Sequence, residues 1–595
     1  MKKIICSLVM CSALLFTSCD GFLDEKNHSS VVTDQYYRTA QGMESIVIAS
    51  YSRLREIYSD PVIFLAGTDL HIVYHGRSAD NPGLAQYYSL TPSDGDVTTF
   101  YKKCFNALGY INTALYYGDK TEATPVLKQQ IAEMRFLRAF IYWHLVQQFG
   151  DVAIVTEMIT SPVLEYPRDP AEQVWNFIIT EMTEALPDLP ARIDAKSSDF
   201  GHIDQRACNH FIAKSYLTRG WKSYAKSDDF AKAKQYADAA IGTMTELSLT
   251  FAQTFAPLPD YAWRNDEVIL SVIYSQNSMS SATTGSSQGA YFSGYLDGTP
   301  SGNKQTNQKL SQTLYNMWLN TKDIEDPNND SRWDVQYDLV TYKTSFAPYD
   351  KTPAELAETP IFGVYIPWWK PEAQRWVTRA DLLADYPAWK DVARFRHYRA
   401  PSKDMTLASV EELKAINKTI LFDDENPEDM KLSSAQTSNY FYANFKKFDC
   451  PTGQRTLSGT SSFRDIEIAR ISDTYLIAAE ACIKMGQTGD AAEYINKIRR
   501  RAIAATDAKR EITASQATID FVLEERAREL FGSYDRWYDL SRTNTLVERA
   551  VRYNPDLEGD ESQFRGPDGQ LKLLRPIPQS AIDANSSAIT QNPGY

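Results

Sequence analysis

The stretch that most constrains this chain runs from Asp520 to Arg542, DFVLEERARELFGSYDRWYDLSR. Ile519, Leu523, Leu530 and Trp537 recur at helical spacing, with Val522 and Ala527 on the same side. Such a stripe is the apolar face of a helix that must bury against another element. The other positions carry Glu524, Glu525, Arg526, Arg528 and Glu529. Glu524 and Arg528 stand i,i+4 in the favourable order, a pair contributing roughly a few tenths of a kcal/mol. Arg536 and Asp539 flank Trp537 and Tyr538, where a partly buried charge needs a partner. No His or Cys stands near to complete an acid–base site, so the stretch reads as a helix locked to its neighbours by ion pairs.

The same periodicity predicts helices over 34–58, 99–117, 125–149, 169–186, 204–224 and 229–244, and again over 468–485 and 489–501. Gly150 follows Phe149 as a helix terminator, and Pro170 stands near the first turn of the helix it opens. Ala213, Tyr216, Ala233, Ala237 and Ala240, then Ala479, Gly486, Ala491 and Tyr494, fall near the packing positions of tetratricopeptide helix pairs. Helix axes about 8–10 Å apart leave room for little else. From Phe251 to Phe463 the helical period fades into Ser/Gly/Thr-rich and Pro/Trp-containing segments. One short helix is expected over 308–319 and an aromatic strand over 439–448. The fold class is mainly α: a tetratricopeptide-like helical-repeat scaffold carrying a loop-rich, mixed insert. The expected divisions are 1–18, 19–250, 251–463 and 464–595.

The formal net charge of −14 argues against a nucleic-acid surface. The short basic run Arg499–Arg501 lies on a helix and reads as its solvated face. Lys2 and Lys3 precede an apolar run from Ile4 to Phe16, too short to span a bilayer and patterned as a secretory signal. Phe16-Thr17-Ser18-Cys19 resembles a bacterial lipobox, which makes Cys19 the expected lipidated residue and the membrane anchor. Cys104, Cys208, Cys450 and Cys482 are widely separated and lack metal-ligand spacing; the first, second and fourth read as buried thiols on helices. The acidic stretch from Asp323 to Asp330 has no EF-hand spacing. No metal and no cofactor are expected.

Several motifs together resemble the SusD/RagB family of outer-membrane nutrient-binding lipoproteins. Glu525, Arg526, Glu529, Leu530, Arg536, Trp537, Asp539, Leu540 and Arg542 match its C-terminal signature; Ser533 and Tyr534 stand where the family carries Glu-Gly. RISDTYLIAAEA from Arg470, RFLRAFIYWHL ahead of Gly150-Asp151-Val152, Asp330 with Arg332, and the ending LRPIPQSAIDANSSAITQNPGY match as well, with Ala581 where Glu is common. The resemblance implies a SusD-like fold and a cell-surface lipoprotein of the outer membrane. It implies capture of an oligo- or polysaccharide without catalysis, and delivery to a TonB-dependent, SusC-like transporter.

Sugars stack their C–H faces on aromatic rings and bond their hydroxyls to polar side chains. The candidate platform comes from turn-rich stretches, where binding residues concentrate: Tyr74, His75, Tyr87, Tyr291, Tyr295, Trp368 and Trp369, with Arg77, Asp80 and Asn81 as polar partners. Tyr291 and Tyr295 are the leading pair, because Gly and Ser flank them. A peptide ligand is the first alternative and a secreted glycosidase the second. The latter needs two carboxylates about 5–9.5 Å apart across a sugar, and no motif singles out such a pair. Glu480, between Ala479 and Ala481, reads as a helix tie and not as an acid catalyst.

Overall fold

The computed structural model describes residues 33–73, 82–161, 163–257, 262–275, 285–288, 308–310, 329–338, 340–342, 352, 354–355, 361–365, 419–421, 444–445, 447–448, 450, 462–554, 557, 560–586 and 589–595. Eleven of its helices concern us: α1 (Ala40–Ile57), α2 (Gly95–Gly118), α3 (Leu127–Phe149), α4 (Ala171–Ala185), α5 (Gln205–Gly220), α6 (Asp229–Ile241), α7 (Ile471–Lys484), α8 (Thr488–Ala502), α9 (Ile519–Leu530), α10 (Arg536–Arg542) and α11 (Leu546–Tyr553). The chain is mainly helical, as the periodicity predicts. Helix starts fall where side chains can satisfy free amides: Asp94 accepts from Asp96 and Val97, Asp204 from Ala207, and Thr518 from Phe521. Gly150 ends α3 with φ 70°, a conformation that suits glycine.

From α1 to α8 each helix packs on the next. The step from α6 to α7 joins the two halves, so the stack runs on across the intervening insert. Ala233, Ala237 and Ala240 of α6 and Ala478 and Ala479 of α7 are buried, small enough for backbones to approach closely. One apolar core holds residues from both halves. Cys104, Cys208, Cys450 and Cys482 are buried free thiols.

Strands are few and short. We number those of the described residues β1 (His71–Val73), β2 (Val268–Val272), β3 (Gln308–Leu310), β4 (Tyr337–Asp338), β5 (Val340–Tyr342), β6 (Ile361–Tyr365), β7 (Thr419–Leu421), β8 (Asn444–Phe445) and β9 (Ile466–Arg470). The pairs β1–β3, β2–β9 and β4–β8 and the ladder β5–β6–β7 are all antiparallel. Val268 stands opposite Arg470, so the insert leaves and rejoins the helical stack at one place.

Four local expectations change. The stretch 520–542 is two helices, broken between Leu530 and Arg536 by Gly532 with φ 80°. The region 468–485 begins as the end of β9 before turning into α7. Gln308–Leu310 is a strand, not the start of a helix, because β1 offers it a backbone partner. Arg499–Arg501 is not a solvated face. Arg499 and Arg501 are buried against carboxylates, and only Arg500 faces outward, between Glu493 and Glu511. A basic run on a helix facing buried acids has the composition of a surface and the environment of a core.

Those acids belong largely to the signature stretch. Glu525 accepts from Arg332 at 2.7 Å, Arg499 at 3.0 Å and Arg528 at 2.8 Å. Arg332 also grips Asp330 at 2.7 Å, and Arg501 links Glu529 to Glu267. Arg526 bridges Asp473 at 2.6 Å and Asp539 at 2.7 Å. Arg542 holds Glu480 at 2.8 Å, and Glu480 also accepts from Trp221. Glu480 is therefore a helix tie. Tyr534, at one of the signature's two departures, is buried and stacks on Tyr58 at 5.5 Å and Phe64 at 5.3 Å.

Candidate functional site

The candidate residues are organised by the root of β1. Asp69, two residues before the strand, is buried and receives Arg536 Nε at 2.8 Å and Nη2 at 2.6 Å, with Arg549 Nε at 3.0 Å. Two guanidiniums outweigh the burial of the carboxyl and hold it at about 2, below its ordinary value. His71 stacks on Phe531 with ring centres 4.9 Å apart, and burial pushes its imidazole down to about 3, so it is neutral. Asn554 Nδ2 donates to the carbonyls of Thr68 at 2.7 Å and His71 at 3.1 Å. Helices α10 and α11 thus clamp the base of β1 through charge and through backbone hydrogen bonds.

That clamp determines where the neighbouring segments emerge. In the antiparallel register Val73 stands opposite Gln308. The segment 74–81, with Tyr74, His75, Arg77, Asp80 and Asn81, follows Val73 directly. The segment 289–307, with Tyr291 and Tyr295, leads directly into Gln308. Both segments therefore join the described structure side by side, at one end of one ladder. The second begins at another fixed point, where Ser286 pairs with Ser462 and Ser287 Oγ donates to the Ser59 carbonyl at 2.8 Å. These seven candidates lie outside the described residues, as do Trp368 and Trp369. The tryptophans follow β6, whose Tyr365 stands opposite Thr419. That ladder is a sheet separate from β1 and β3.

Tyr87 is a correction. It is fully buried at φ 61°, donates its hydroxyl to the Gly67 carbonyl at 3.1 Å and accepts from Trp537 Nε1 at 3.2 Å. Its ring stacks on Phe564 at 4.0 Å. A Cβ on Gly67 would stand 2.5 Å from the Tyr87 ring, so glycine there admits the ring to the core. The turn-rich sequence around Tyr87 hid this, because its packing partners lie hundreds of residues away. Tyr88, its neighbour, is 63% exposed and presents the ring to solvent instead. Asp69, Arg549 and Asn554 escaped sequence reading altogether; an acid in the apolar run 61–73 was the available signal.

Acid–base chemistry finds no support in the signature carboxylates. Burial alone would raise Glu525 and Glu529, but the surrounding arginines hold both below the usual carboxylate range. Among the described residues no group of three His, Cys, Asp or Glu side chains is arranged to hold a metal, and no helix is long and apolar enough to cross a membrane. Asp330, at the end of the acidic stretch, is occupied by Arg332.

Comparison with known proteins bears on the same regions. The SusD family profile matches residues 411–595, and a related profile, described as starch-binding and associating with the outer membrane, matches residues 21–217. The two together span well over half of the chain. The chain belongs to the SusD family. The starch-binding protein SusD of Bacteroides thetaiotaomicron is 22% identical over 505 residues, covering 82% of this chain and 77% of that one. SusD-like protein P2 of Formosa agariphila is 21% identical over 604 residues and 96% of each chain. A SusD-like protein of Bacteroides ovatus is 26% identical over 246 residues, a match spanning only 42% of that relative.

The crystal structure of a SusD homolog from Bacteroides thetaiotaomicron shares the fold at TM-score 0.68 and 18% identity, over 95% of this chain and 98% of that one. Surface glycan-binding protein A from the same organism, in complex with laminarihexaose, gives TM-score 0.61 at 17% identity, over 94% and 100%. SusD-family members are glycan-binding proteins and not enzymes. The description of the N-terminal profile places this SusD-family chain in association with the outer membrane.

Proposed function

We propose that this protein is a cell-surface lipoprotein that binds a nutrient glycan and hands it to a TonB-dependent outer-membrane transporter. Its anchor is lipid on Cys19, after removal of residues 1–18. Its ligand platform is built on the segments flanking β1 and β3, with Tyr291 and Tyr295 stacking on sugar rings and Arg77, Asp80 and Asn81 bonding hydroxyls. The supporting observation is the Val73–Gln308 register, which roots two separate aromatic-bearing segments at one point. The Asp69 clamp makes that root rigid, and a preformed root lowers the ordering cost of binding.

The test is calorimetry against a panel of oligosaccharides that includes starch and laminarin fragments. Tyr291→Ala with Tyr295→Ala weakens binding by about tenfold or more per lost stacking ring while leaving the melting temperature nearly unchanged. A large drop in melting temperature would instead place both rings in the core and end the platform reading. In cells, Cys19→Ala moves the protein out of the membrane fraction, and a membrane-bound variant would refute the lipid anchor.

A further inference from the structure

A cavity of about 570 Å³ lies where the C-terminal tail crosses the ends of three helices. Its walls come from the last turns of α3 and α10 and the residues just past α5, and its lid from residues 571–574 and 590–593. None of its lining belongs to the root of β1 and β3. The volume falls within the roughly 300–1,000 Å³ typical of small-molecule sites.

Lys222 is the group that gives this cavity a chemistry. Three other charged residues line it. Arg542 is taken by Glu480 and Asp539. Arg168 donates to the carbonyls of Phe149, Asp151 and Thr590 and to the side chain of Asn592. Asp151 accepts the Ala171 amide at 2.7 Å. Lys222 is half-buried and lines the cavity. Among the described residues its Nζ has neither a hydrogen-bond nor an ion-pair partner. A cation partly withdrawn from water without a counter-ion carries a cost, and here burial and the Arg542 guanidinium push the ammonium down to about 8. An anion entering the cavity would relieve that cost.

The rest of the lining narrows the ligand. Gln147 donates to the Trp143 carbonyl, and among the described residues no donor reaches its Oε1. Asn544, just past the end of α10 at φ 59°, also lines the cavity. Leu571 and Leu574 supply apolar wall. One ammonium matches one negative charge, free amide groups match hydroxyls, and apolar wall matches C–H faces. We propose that this cavity binds a carboxylate-bearing sugar unit, with Lys222 as its counter-ion. The site is separate from the proposed aromatic platform and does not depend on it.

The experiment is calorimetry at pH 7 on the whole protein with D-glucuronate and D-galacturonate, against D-glucose, acetate and inorganic phosphate. At least one sugar acid binds about tenfold or more tightly than glucose, acetate or phosphate, the gain a charge-assisted contact supplies. Lys222→Gln loses that margin, and Lys222→Arg keeps most of it. A measurement on the unaltered protein stands beside the variants. Acylation of Lys222 by acetic anhydride, mapped by mass spectrometry, is slowed by the sugar acid and not by glucose. The proposal is overturned if neither sugar acid binds nor protects, if Lys222→Gln binds equally well, or if acetate or phosphate alone does as well.

Discussion

Glu525 gathers three guanidiniums in a site closed to solvent. Each arginine comes from a different place: Arg332 from the insert, Arg499 from α8 and Arg528 from α9 itself. Removing one partner of such a cluster leaves the others charged and unsatisfied, which costs about 3–5 kcal/mol. Glu525→Gln keeps the shape and removes the charge, so urea denaturation should register a loss of about that size. A loss under about 1 kcal/mol would mean that water reaches these arginines and screens them. The sequence made the need for partners legible at Arg536 and Asp539, since charge beside Trp537 and Tyr538 is charge near a core. It did not reveal Asp69 as the answer, because that acid lies 467 residues from Arg536. Tyr87 was misread for the same reason: Trp537 and Phe564 enclose it, and no local pattern announces them.

At the scale of elements, periodicity located the long helices, missed α11, put a helix where Gln308–Leu310 is a strand, and ran two helices together at one joint. The apolar stripe from Ile519 to Trp537 continues through Gly532 as though one helix ran on, yet the chain turns there. Gly532 sits at φ 80°, and a Cβ on it would stand 2.7 Å from the Phe448 ring and 3.1 Å from that of Phe445. Two costs therefore meet in Gly532→Ala. The left-handed backbone costs roughly 1–2 kcal/mol for an L side chain, and overpacking against two rings adds about 1–3 kcal/mol. The expected loss, measured by urea denaturation, is about 2–5 kcal/mol. A neutral result would mean that the rings move aside freely. The strands were less legible than the helices. Gln308–Leu310 has no pattern of its own and becomes a strand because His71–Val73 is held in place for it to pair with. The candidate platform inherits this: its residue types were readable, and the register that brings two of its segments together was not.

Across the whole molecule the helical stack runs on without a break through α6 and α7, and the core where the halves meet carries neutral histidines. His144 sits between the hydroxyls of Tyr58 at 3.0 Å and Tyr538 at 2.9 Å, one from each half. Burial pushes His144 down to about 3, as it does His71, and burial also lowers His210 against the pull of Asp473. In the unfolded chain each imidazole titrates near its ordinary value of about 6.5. A folded value below the unfolded one means that the unfolded state takes up protons first. The stabilisation is therefore fully present above about pH 6.5 and is lost as pH falls from there toward 3. For His71 and His144 the slope is about 1.4 kcal/mol per pH unit each. His202 runs the other way, because its hydrogen bond to Glu133 raises it, and it offsets part of the loss just below neutrality. Asp69, held at about 2, loses its contribution only below pH 4. Stability measured by urea denaturation should fall steadily from pH 6.5 to pH 4, well before the clamped carboxylates protonate. His144→Gln should flatten that fall by about one proton. A free energy of unfolding constant from pH 7 to pH 4.5 would mean that these imidazoles are charged in the folded protein, and that the core joining the two halves is wet.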